Sequence, residues 1–90
     1  MAERVKLRKG TSVEILQERL RLPYACVAAL PLPKGEGYAL LDEDSRDKML
    51  KDMGSSDMRR IFLSKLSNEV PSGAYSLEKP KNLYRLKRVS

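Results

Sequence analysis

The sequence predicts a small single α+β domain, with three helices packed on antiparallel β-hairpins. Three observations carry that prediction. Apolar residues recur at helical spacing behind capping signals near 12–21, 45–53 and 57–68. Two stretches, 24–41 and 73–88, place strand-like runs on either side of a turn signal. Ninety residues, 41% of them hydrophobic, suffice for one modest core, so a globular rather than a disordered chain is expected.

The elements follow in order. Val5 and Leu7 alternate with Arg4, Lys6 and Arg8, the pattern of a short edge strand or of a basic arm over residues 1–10. Thr11-Ser12-Val13-Glu14 fits a capping box, with Thr11 as the cap, and Val13, Leu16 and Leu20 continue at helical spacing until Pro23. "YACVAALPL" at 24–32 is apolar and bounded by prolines, and "PKGEG" then turns the chain into "GYALL" at 37–41. This reads as a hairpin, with a short alanine-rich helix at 24–30 as the rival. "SRDKMLKDMG" opens with acids, places Met49, Leu50 and Met53 on one side, and ends at Gly54, where a C-terminal cap belongs. "SSDMRRIFLSKLSN" restarts at Ser55 or Ser56 with Asp57 in its first turn. The short break between these two segments is that of a helix-turn-helix. After "EVPSG", Tyr75/Leu77 and Tyr84/Leu86 each share a strand face, and Pro80 sits in the connecting turn.

The expected core is Leu16, Leu20, Val27, Leu40, Leu50, Ile61, Phe62 and Leu66. With no tryptophan and one phenylalanine it must be mostly aliphatic, and four methionines lend it adaptable packing. The single cysteine, Cys26, lies among small apolar residues and reads as a buried hydrophobe.

The chain contains no histidine, which excludes Ser-His-Asp and Cys-His catalysis and Cys/His zinc sites. "KGEG" lacks the length of a phosphate-binding Walker loop, and "DEDSRD" lacks the spacing and glycine of an EF-hand, so its acids read as a solvated helix start. An enzyme is therefore the least favoured class, and no cofactor is expected. No apolar run approaches the ~20 residues needed to cross a bilayer. Residues 1–10 lack the apolar region of a secretory signal, so a cytoplasmic location without membrane attachment is expected.

Charge is segregated along the chain. Residues 1–21 carry six bases and three acids, whereas 42–57 carry three bases and six acids. The last twenty residues hold five bases and one acid. Such segregation attracts polyanions to one part of the surface.

The succession of helix, strand material, helix, turn, helix and basic hairpin resembles the layout of winged-helix domains over most of residues 11–89. It departs from them in having two strands, not one, between the first and second helices. The resemblance implies a groove-reading helix at 56–68 and a backbone-touching wing at 73–88. On the helix, Arg60, Ser64, Ser67 and Asn68 take the polar side, while Arg59 and Lys65 lie nearer the apolar face, their stems able to snorkel over the core. On the wing, Lys79, Lys81, Arg85, Lys87 and Arg88 supply the charge. Two function classes follow. One is a non-enzymatic nucleic-acid-binding module, duplex DNA being favoured. The other is a small interaction protein, an inhibitor or adaptor, that docks on a larger partner, with Tyr24, Tyr38, Tyr75 and Tyr84 as core edges or contact anchors.

Overall fold

A computed structural model describes residues 3–79 and 83–89. The hairpin-turn residues Pro80, Lys81 and Asn82 therefore lie outside the described residues. One antiparallel five-stranded sheet organises the rest. Its strands are β1 (Glu3–Leu7), β3 (Cys26–Pro31), β4 (Gly37–Asp42), β6 (Gly73–Glu78) and β7 (Arg85–Arg88), and their spatial order is β1-β6-β7-β4-β3. Two further short strands, β2 (Thr11–Ser12) and β5 (Glu69–Val70), pair with each other. Three helices complete the domain: α1 (Val13–Arg19), α2 (Glu43–Asp52) and α3 (Ser56–Lys65).

Residues 3–7 are an edge strand, which settles the choice between strand and arm. Val5 and Leu7 are buried, and the strand pairs with β6 from Glu3↔Leu77 to Leu7↔Gly73. Residues 24–30 likewise form strand and not helix, pairing with β4 from Cys26↔Asp42 to Pro31↔Tyr38. A bulge between Cys26 and Ala28 leaves Val27 unpaired and half-buried, so this expected core residue sits at the margin. The β6–β7 hairpin sets Leu77 opposite Leu86, with both almost fully buried. It is flanked on both sides, by β1 and by β4, and so forms the middle of the sheet.

The helix ends are set by local chemistry. Ser12, not Thr11, caps α1: its Oγ accepts from the Ile15 amide, while the Thr11 hydroxyl donates to the Arg8 carbonyl at 2.6 Å. Asp42 caps α2 by accepting from the Ser45 amide at 2.9 Å, which starts that helix two residues ahead of the expected 45. The Ser45 side chain, and after it this amide hydrogen bond, holds the Asp42 carboxyl below its usual range. Ser55 caps α3. Gly54 does not adopt the left-handed C-cap conformation, because α2 ends at Met53 with extended backbone. Helix α3 ends at Lys65, short of the expected 68. Leu66 turns extended, and Ser67 exchanges two backbone hydrogen bonds with Ala29 on the outer edge of β3, at 2.8 and 3.0 Å. Both sheet edges are thereby blunted, since Arg19 also donates to the Lys6 carbonyl on the outer strand β1.

The sheet buries its two faces unequally. On the α1 face, Val5, Leu7, Val13, Leu16, Leu22, Cys26, Leu40, Val70, Tyr75, Leu77 and Leu86 form one core, with Leu20, Tyr38 and Tyr84 at its rim. On the α2–α3 face, a smaller cluster of Ala39, Leu41 and Phe62 is buried, with Met49, Leu50, Met53 and Leu66 partly so. Ile61 is 54% exposed, which corrects its expected place in the core. Phe62 alone points α3 inward far enough to be buried.

One tyrosine is built into the ladder. The Tyr24 hydroxyl accepts from the Tyr84 amide at 3.2 Å and donates to the Leu40 carbonyl at 2.8 Å, while the Leu40 amide reaches the Tyr84 carbonyl directly at 2.9 Å. It thus substitutes for one rung where β4 and the approach to β7 separate. Burial pushes this hydroxyl's pKa up to about 12.

Candidate nucleic-acid interface

Side chains alternate across a sheet, so the buried residues of each strand fix the direction of their neighbours. On β1, β6 and β7, the residues Val5, Leu7, Tyr75, Leu77 and Leu86 point to the α1 core. Arg4, Lys6, Ala74, Ser76, Glu78, Arg85 and Lys87 therefore point to the opposite face. Helices α2 and α3 cover that face at its β3–β4 end, through Leu30, Ala39, Leu41 and Phe62, the cluster reaching Leu83 just before β7. Even the small Ala74 is exposed, which marks the β1-β6-β7 half as open.

The registers give the open half a definite shape. Arg4 lies opposite Ser76, and Ser76 lies opposite Lys87; Lys6 lies opposite Ala74, and Glu78 opposite Arg85. The central strand β6 thus presents Ser76 between Arg4 on β1 and Lys87 on β7, with Ala74 beside Lys6 toward one end and Glu78 beside Arg85 toward the other. With strands ~4.8 Å apart, the β1 and β7 cations are separated by ~10 Å, and along each strand the spacing is ~7 Å. The result is a shallow trough with cations on both walls. A depression of about 230 Å³ lies at one end of it, lined in part by Arg4, Lys6, Ala74 and Val89. Glu78 is the single carboxylate among these positions, and it approaches Arg85 at 3.8 Å. Arg4, Lys6 and Lys87 take part in no ion pair among the described residues.

The other basic residues of the C-terminal hairpin face elsewhere. Lys79 sits over the Tyr84 ring with its ammonium 5.7 Å from the centroid. The Arg88 guanidinium lies 5.8 Å from the Tyr38 ring and 5.5 Å from the Tyr75 ring. These two cap aromatic edges on the α1 side. Strand alternation therefore divides the basic set that the sequence placed on one surface: Arg85 and Lys87 line the trough, and Lys79 and Arg88 do not. Lys81 lies outside the described residues.

The α3 set is likewise dispersed. Arg60 is exposed, and so is Ser64, whose hydroxyl donates to its own helix at the Ile61 carbonyl, 2.6 Å away. Arg59 is engaged by the Leu50 carbonyl at the end of α2, at 3.1 Å. Lys65 lines an apolar groove. Ser67 and Asn68 lie beyond the helix: Ser67 is tied to β3 and to Glu69, and the Asn68 carbonyl accepts from the Val13 amide at 2.9 Å.

Arg4 and Lys6 are the residues that reading for a helix and a wing missed. Their signal was present in the alternation with Val5 and Leu7, which sends both cations to one face once the segment is a strand.

The remaining chemistry is sparse. Cys26 is buried, its thiol donates to the Ala28 carbonyl at 3.6 Å, and burial raises its pKa, so it is held as the unreactive thiol. No group of three or more metal-ligating side chains gathers among the described residues. No helix among them is long and apolar enough to cross a membrane. Comparison of the chain with protein-family models, curated proteins and solved structures returns no match.

Proposed function

We propose that this protein is a non-enzymatic nucleic-acid-binding module whose contact surface is the open trough on β1, β6 and β7. One observation carries the reading: four cations from two non-adjacent strands line the half of a sheet face that no helix covers, with Ser76 between Arg4 and Lys87, Ala74 beside Lys6, and Glu78 beside Arg85. A phosphate backbone lying along β6 meets Arg4 and Lys6 on one side and Arg85 and Lys87 on the other. Each phosphate neutralised releases counterions, the main source of affinity in such contacts.

The winged-helix reading enters in reduced form. Arg60 on α3 remains available for a bidentate base contact, whereas the side chains of Arg59 and Ser67 have partners within the fold. The trough supplies backbone contacts, which position a ligand without selecting its sequence. Affinity that is strong at low salt and indifferent to sequence is therefore expected.

The test is a titration of duplex DNA and of single-stranded RNA at several salt concentrations, comparing the wild type with Arg4→Ala/Lys87→Ala. The double variant should bind every sequence more weakly. It should also lower the slope of log K against log salt by about 0.7 on a single strand, or about 0.9 on B-DNA, per lost phosphate contact. Absence of binding to both at low salt would overturn the reading in favour of an acidic protein partner for the same surface.

A further inference from the structure

Helix α3 leaves apolar side chains outside that nothing in the fold uses. At 100° per residue, Met58, Ile61 and Lys65 fall within about 60° of one another on one flank of the helix. Met58 and Ile61 are each more than half exposed. They border a groove of about 450 Å³ between α3 and the Leu30–Pro33 stretch, with Phe62 at its floor and Met53 at one side. Lys65 is the one charged residue that lines it. Ile15 and Leu63, the other large exposed apolar residues, lie on α1 and on the far flank of α3, so the patch is confined to this groove.

The charges beside the groove indicate what fills it. Asp57 in the first turn of α3 and Lys65 in the last are equally distant from Ile61, one before it and one after. Neither takes part in an ion pair among the described residues. A partner segment must therefore be apolar at its centre and carry a cation and an anion in the reverse order. Helix α3 itself, run antiparallel, has that pattern. A purely acidic helix would satisfy Lys65 but set a carboxylate against Asp57.

We propose that this groove binds a second copy of the chain, forming a two-fold dimer in which the α3 helices cross antiparallel beside Ile61. Met58 and Ile61 of each copy enter the groove of the other, and each Asp57 meets the partner's Lys65. An isologous interface of this kind is self-complementary by symmetry, so both contacts occur twice. The methionines lining the groove let it adapt to the inserted ridge.

Sedimentation equilibrium of the full chain, from micromolar to millimolar concentration, tests the proposal. The wild type should show a reversible monomer–dimer equilibrium. Ile61→Asp should be monomeric throughout, and Ile61→Ser, milder on the helix, should shift the equilibrium in the same direction. Asp57→Lys should weaken the dimer by about tenfold or more, since it places like charges together twice. The exchange Asp57→Lys/Lys65→Asp should restore the wild-type constant. A wild type that stays monomeric at every concentration, or a dimer indifferent to Ile61→Ser and Ile61→Asp, would overturn it.

Discussion

The two faces of the sheet are built from the same strands, yet they bury very different amounts. The α1 face seals Leu16, Leu40, Tyr75, Leu77 and Leu86 almost completely from solvent. On the other face, α2 has no fully buried residue, α3 has one, and half the sheet is left open. The comparison assigns different roles to the two faces. The α1 side holds the fold together, which frees the opposite side to display cations and half-exposed apolar residues without loss of the native state. Both proposed surfaces, the trough and the α3 groove, lie on the thinly covered side.

The sharpest way to break this comparison is to cut the thick side. Leu86→Ala, at the centre of the α1 core, should cost about 3–5 kcal/mol, a large share of a small domain's stability. Chemical denaturation measures this directly, and a loss below that of Phe62→Ala would reverse the assignment of roles. Gly37→Ala probes the sheet itself. Gly37 has φ +149°, and a Cβ there would collide with the Leu86 carbonyl oxygen where β4 meets β7. The substitution should cost about 2–3 kcal/mol from strain and overpacking, read as a lower denaturation midpoint.

Tyr24→Phe removes the hydroxyl that bridges Tyr84 and Leu40, and should cost about 1–3 kcal/mol. The same group makes a pH prediction. Its hydroxyl is neutral in the fold and its pKa is raised from 10.0 to about 12. The associated stability is thus complete below about pH 10, where the unfolded chain titrates, and is lost as pH rises toward about 12. Tyr24→Phe should flatten the alkaline limb of a thermal-melt series. The smallest expected effect is on the open side. Lys87→Ala, exposed and unpaired among the described residues, should change stability by no more than about 0.5 kcal/mol while still weakening polyanion binding.

The identity of the elements was legible in the sequence because their signals are local. The serine at the start of α3, the proline-bounded 24–32 run with its turn into 37–41, and the Tyr/Leu alternation at 73–88 each specify their own backbone. What escaped depends on distant residues. Nothing near residue 5 states that β1 pairs with β6, seventy residues on, and that pairing makes the C-terminal hairpin the middle of a sheet. Helical periodicity showed an apolar sector on α3 but not which flank the sheet would cover, so Ile61 was assigned to the core along with Phe62. No proline or glycine marks the end of α3, and Ser67 leaves the helix because Ala29 offers it two strand hydrogen bonds. Of the trough, Arg85 and Lys87 were among the basic residues of the expected wing, where nothing local separated them from Lys79 and Arg88. Arg4 and Lys6 needed the strand to be known first, because only the pleat turns alternation into a shared face.

The central claim is that the uncovered half of the sheet contacts the ligand, and amide chemical shifts followed during titration with a single-stranded RNA at low salt test it most directly. The account predicts perturbations concentrated at Arg4–Lys6, Ala74–Ser76 and Arg85–Lys87, fading together as salt is raised, with α1 unaffected. Perturbations confined to α3 or α1, or no perturbation at all at low salt, would contradict it.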